Sequence, residues 1–202
     1  MDFRAGSIPG GDAALTGIGA ELRREREAMS KRTENAEPKA RTKAKKLPYA
    51  ERGDLDKLQS QWNKLSGLHA RDEPSAAIVR CATAAEIAAN YAIRHELARK
   101  SELEDEVVDH LLVWANGLRG KMERLFLPIY FVGRRKHQTA KALLACADKI
   151  NRVRNEVVHQ GRFSNSKEAE DLIGEAKHFI ELIVGLSIPD FDIQDRKRAD
   201  KH

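Results

Sequence analysis

Three side chains near the end of one helical stretch have the types and spacing to do chemistry: Arg154, Asn155 and His159. Histidine titrates near neutrality and can take or give a proton. Arginine stays charged and grips a phosphate through two donors. Transesterification at phosphorus by a neighbouring hydroxyl can run on those two roles without a metal. Asn155 and His159, four residues apart, share a helix face. Arg154 is the odd member. On a helical wheel with Ile150 at zero it falls among Leu143, Cys146, Ala147, Val153 and Val157, with Val158 at the edge. An arginine inside an apolar arc is expensive unless paired or used. About 140° separates it from His159 on a regular wheel, so the spacing predicts that the two do not sit side by side. A second copy of the helix, or fraying of its last turn, is then needed to bring them together.

The element that must position these residues is a helix over residues 138–161, which Gly161 ends by supplying a left-handed residue. It lies in the most basic part of the chain. Residues 119–162 carry 11 basic and 3 acidic residues, a net +8, whereas residues 51–118 carry 8 and 12 and residues 163–202 carry 6 and 9. Such a block suits a polyanionic partner, but a solvated basic surface balanced by the flanking acidic helices fits the charge equally well. The cations placed to hold a substrate are Arg152, Arg162 and Lys149 around the motif, with Arg135 and Lys136 just before the helix.

The remaining elements follow in order. Residues 1–48 read as a disordered basic tail, with a breaker cluster (SIPGGD), a marginal helix over residues 18–31 and the charge run Lys39–Lys46. Asp54 is placed to cap a helix with Leu55, Leu58, Trp62 and Leu65 on one face, ending at Ser66-Gly67. Pro74 opens an alanine-rich helix, apolar almost all round and therefore central. Its Glu86 either pairs with a buried cation, Arg154 being the favoured partner, or faces a cleft. Ser101-Glu102-Leu103-Glu104 reads as a capping box starting a helix with Leu103, Val107, Leu111 and Trp114 on one side. His110 beside Glu106 and Asp109 marks an exposed face. A shorter helix from Leu118 is interrupted at Pro128, and LPIYFVGRRKHQ, an apolar loop packed on the bundle or a brief extended piece, leads to the basic helix. Asn165 and Glu168 cap the last helix, whose face is Ala169, Leu172, Ile173, Ala176, Phe179, Ile180 and Ile183. A charged C-terminal tail occupies residues 189–202.

The sum is an all-α bundle of five or six helices, one domain over residues 52–188. Its 202 residues, 33% charged and 5% aromatic, allow one ordinary core. Cys81 and Cys146 read as buried free thiols, and no Cys/His spacing suits a metal. No apolar run reaches membrane-spanning length and no signal-peptide pattern opens the chain, so a soluble, cytoplasmic protein without membrane attachment or cofactor is expected.

Arg154-Asn155-Glu156-Val157-Val158-His159, near the end of a penultimate helix and followed by a turn and an amphipathic helix, resembles the HEPN domain superfamily. The alanine-rich helix PSAAIVRCATAAEIAANY is similar to the first core helix of several HEPN branches, and the resemblance covers about residues 70–186. It implies an up-and-down helical bundle that often dimerises, joining two motifs in one cleft, and in many members a metal-independent ribonuclease. His159 would be general base or acid at the ribose 2′-hydroxyl or the leaving 5′-oxygen, Arg154 would hold the scissile phosphate, and Asn155 would orient either. RNA would be the substrate, a second copy or an antitoxin the protein partner, and a toxin or a stress or anti-phage effector the setting. Other members have lost activity and serve as binding modules for proteins, nucleotides or nucleic acid.

Overall fold

The computed structural model describes residues 47–131 and 137–195. The N-terminal tail up to Lys46, with its marginal helix and its Lys39–Lys46 run, lies outside the described residues, as do Arg135, Lys136 and residues 196–202. A short 3-10 turn at Tyr49–Glu51 leads to α1 (Asp54–His69), α2 (Pro74–Lys100), α3 (Asp105–Trp114) and α4 (Gly117–Lys121). A π-helical turn at Met122–Phe126, α5 (Leu127–Tyr130), α6 (His137–His159) and α7 (Ser166–Gly185) complete the bundle. The described residues contain no strand, and the architecture is all-α.

Helix α2 is central, as its composition predicts. Ala77, Ala84, Ala85, Ala88, Ala89 and Ala92 are fully buried and let α1, α6 and α7 approach it closely. Trp62 of α1, Phe126 of the π turn and Phe179 of α7 fill the core, each contributing about 1.5–3 kcal/mol of burial. Cys81 and Cys146 are buried free thiols. Burial pushes both up, Cys146 to about 12, so they stay protonated and unreactive near neutrality.

Several boundaries differ from the sequence pattern for identifiable reasons. Helix α1 continues through Ser66-Gly67 to His69, the Ser66 hydroxyl donating to the Trp62 carbonyl at 3.1 Å. Asp54 is its first residue rather than its cap, and its carboxylate meets Arg94 at 3.4 Å. The Ser101 capping box does not form: the serine closes α2 instead, its hydroxyl donating to the Leu97 carbonyl at 2.8 Å. Helix α3 buries Val108 and Leu112, while Leu103, Val107, Val113 and Trp114 remain exposed. Pro128 does not break the chain's helical course. The π turn before it reroutes the backbone ladder around the N–H that proline lacks.

The corner between α3 and α4 needs Gly120, where a Cβ would lie 1.7 Å from the Ala115 carbonyl oxygen. That close approach seats α4 on α6, joined by the ion pair of Arg119 with Asp148 at 3.3 Å. The charged tail expected after residue 188 is docked as far as it is described. Ile193 is fully buried, and Asp195 accepts a hydrogen bond from the Trp62 indole at 2.8 Å.

Candidate functional site

Helix α6 buries Leu143, Cys146, Ala147, Ile150 and Val153, with Val157 packed at the core's edge. This apolar arc anchors the helix and fixes the direction of its last turns. Asn165 caps α7 by accepting from the Glu168 amide at 2.8 Å. Gly161 takes φ +64°, and the Gln160 and Arg162 amides both donate to the Glu156 carbonyl at 3.2 Å. The loop is tied down further by Arg162, whose guanidinium joins Glu156 and Glu168, and by the Ser164 amide donating to the Ser75 hydroxyl. His159 therefore stands on a fixed helix end.

Arg154, Asn155 and His159 converge within a single chain. Arg154 Nη1 donates to Asn155 Oδ1 at 2.9 Å and lies 3.3 Å from His159 Nε2. The expectation that a second copy of the helix or fraying of its last turn is needed to join them is thus corrected, since α6 stays helical to His159. Five residues span only about 7.5 Å of helix axis. A half-buried arginine emerging from the apolar arc covers that distance with its own side chain. A wheel records where side chains leave the helix, not how far they reach. Arginine can only donate, so this contact is a hydrogen bond in the tautomer whose Nε2 offers a lone pair. His159 is exposed.

The surrounding cations divide sharply. Arg152 is exposed and makes no ion pair among the described residues. Lys149 is held by Glu175 at 2.5 Å, and Arg162 is shared by its two glutamates, so neither offers an uncompensated charge. Arg135 and Lys136 lie outside the described residues. Glu86 does not support Arg154: it pairs with Lys121 of α4, which is only 8% exposed in its side chain. That lysine is the buried cation a carboxylate among alanines calls for. Among the described residues no three His, Cys, Asp or Glu side chains gather as metal ligands, and no helix is long and apolar enough to cross a membrane.

One feature escaped the sequence pattern. An open groove of about 630 Å³ runs beside α6, lined by Arg119, Asp148, Asn151, Arg152, Asn155 and Gln160 among others. Asn155 belongs both to this groove and to the cluster with His159. The signal was present as a polar stripe, Asp148, Arg152, Asn155 and His159, at helical spacing opposite the buried arc.

Compared with models of protein families, with curated proteins and with solved structures, the chain finds no match.

Proposed function

We propose that the protein is a metal-independent endoribonuclease of HEPN type, cutting RNA by attack of a ribose 2′-hydroxyl. The observation that carries this reading is the contact of Arg154 with both Asn155 and His159 at an open helix end. His159 Nε2 takes the proton of the 2′-hydroxyl. The 2′-oxygen bonds to phosphorus, the bond from phosphorus to the 5′-oxygen breaks, and a 2′,3′-cyclic phosphate and a 5′-hydroxyl result. Arg154 swings from the histidine to the phosphate and carries the charge that develops on its oxygens. Asn155 holds the guanidinium at the right height. One histidine serves one proton transfer at a time, so a homodimer presenting two motifs to one cleft completes the acid–base pair. An RNase of this kind suits a toxin or a stress or anti-phage effector restrained by an antitoxin.

Substitution is the test. Arg154→Ala and His159→Ala remove cleavage, while Lys177→Ala, whose partners are Asp195, Asp192 and Glu181, leaves cleavage by the folded protein nearly unchanged. Equal cleavage by all three variants contradicts the proposal.

A second reading, a non-catalytic HEPN-like module docking on a protein partner, draws on a different observation. Val113 is 77%, Trp114 59% and Phe163 93% exposed, more apolar surface than an isolated bundle of this size needs to show. It predicts that Trp114→Ala abolishes association with the partner, with no RNA turnover to lose.

A further inference from the structure

The groove along α6 has a composition that the cleavage chemistry alone does not require. Its wall on one side is the Arg119–Asp148 ion pair, whose charges largely cancel. Lys149 and Glu156, also on its lining, are held by Glu175 and Arg162. Among the described residues, neither the Asn151 nor the Gln160 amide side chain makes a hydrogen bond, and Arg152 has no carboxylate partner. Asn155, on the groove's lining, gives its carbonyl oxygen to Arg154 and keeps its amide N–H groups free of any hydrogen bond among the described residues. Lining residues run from Ala145 to Gln160, about 22 Å of helix, and the polar stripe leads into His159.

We infer that this groove is the base-recognition subsite of the proposed ribonuclease and takes one unpaired nucleotide beside the scissile phosphate; the inference rests on the nuclease reading. Free amides pair a donor with an acceptor on one planar group. This matches the edge of a nucleobase, and adenine, with its N6 donor beside N7, is the base that Asn and Gln hold through two hydrogen bonds. Such edges are available in single-stranded loops and not in the deep groove of an RNA duplex. A phosphate-only track would be lined with open cations, yet here Arg152 is the single open cation among the described groove residues. Arg152 holds the adjacent phosphate, and Asn151 and Gln160 read the base. Because Asn155 touches both groove and Arg154, a correctly seated base also positions the arginine that meets the phosphate.

The experiment uses short single-stranded oligoribonucleotides that differ only in the base beside the cut. Cleavage is measured on wild type, Asn151→Ala, Gln160→Ala and Arg152→Ala, and binding by fluorescence anisotropy on the same substitutions in a His159→Ala background. Wild type is expected to favour adenine, and Asn151→Ala or Gln160→Ala to shrink that preference by tenfold or more. Arg152→Ala weakens all oligonucleotides alike and lowers the salt dependence by about one counterion. Adenine-dependent binding that disappears in Asn151→Ala, with no cleavage by wild type, supports the groove and overturns the nuclease reading. Cleavage blind to the neighbouring base, or a preference unmoved by both amide substitutions, overturns the groove and leaves the nuclease reading intact.

Discussion

Two charged clusters on this bundle have opposite designs. At the end of α6, Arg154 lies against Asn155 and His159, and among the described residues it forms no ion pair with a carboxylate. On α7, Lys177 faces Asp195 at 3.1 Å and both Glu181 and Asp192 at 3.9 Å, beneath a segment pinned by the buried Ile193. The second cluster is compensated, its cation set among three carboxylates. The first keeps, among the described residues, a guanidinium without a carboxylate partner beside the exposed His159. A cluster built for stability satisfies its charges internally, whereas one built for binding leaves a charge for the ligand to satisfy.

Substitutions at the two places should therefore separate activity from stability. The largest effect expected is on turnover: His159→Ala lowers cleavage by about 10²–10⁴-fold, the usual worth of a general base, with the thermal midpoint nearly unchanged. Next comes Ile193→Ala, which costs about 2–5 kcal/mol in denaturant unfolding by opening a cavity, while cleavage by the folded fraction stays the same. A loss of cleavage in folded Ile193→Ala protein would show that the two regions are coupled.

A smaller effect comes from pH. Burial and the adjacent Asp192 carboxyl push Glu181 up to about 7, against the pull of Lys177. Among the described residues, buried Glu181 Oε1 has no hydrogen-bond partner, in keeping with a site that prefers the protonated acid. Burial raises Asp195 as well, but hydrogen bonds from Trp62 and Lys177 outweigh it and hold that carboxyl below its ordinary value. With the folded value of Glu181 above the unfolded one, the native state binds the extra proton between about pH 4.5 and 7. Stability from this group is present below that window and is lost as pH rises through it. Unfolding titrations of wild type and Glu181→Gln measure it: the variant should show a flatter profile across the window. The smallest effect concerns the thiols. Cys146 and Cys81 should resist alkylation near neutral pH in the native protein and react once it unfolds.

The sequence made α6 legible because one helix carried every necessary signal: an apolar arc, a misfit arginine, a polar stripe and a terminal glycine. It misplaced what depends on other elements. The amphipathic pattern of α3 announced an apolar stripe, but nothing local states whether a neighbour covers it, and Leu103, Val107 and Trp114 stay exposed. Glu86 announced a buried partner without identifying Lys121, 35 residues further along the chain. Ser101 carried a start signal that lost to a nearer acceptor, the Leu97 carbonyl. The charges at Asp190, Asp192 and Asp195 disguised a segment whose Phe191 and Ile193 pack on the core. The Arg154–His159 contact was missed for another reason, since its geometry depends on side-chain length rather than on position around the helix.

The central claim is that Arg154 and His159 form an RNA-cleaving site that uses the substrate's own 2′-hydroxyl. Its most direct test is end-group analysis of RNA incubated with the wild-type protein and EDTA, beside the His159→Ala variant. The account predicts 2′,3′-cyclic phosphate and 5′-hydroxyl ends from wild type and intact RNA with the variant. Intact RNA from both folded proteins, or the same ends in equal yield from both, would contradict it.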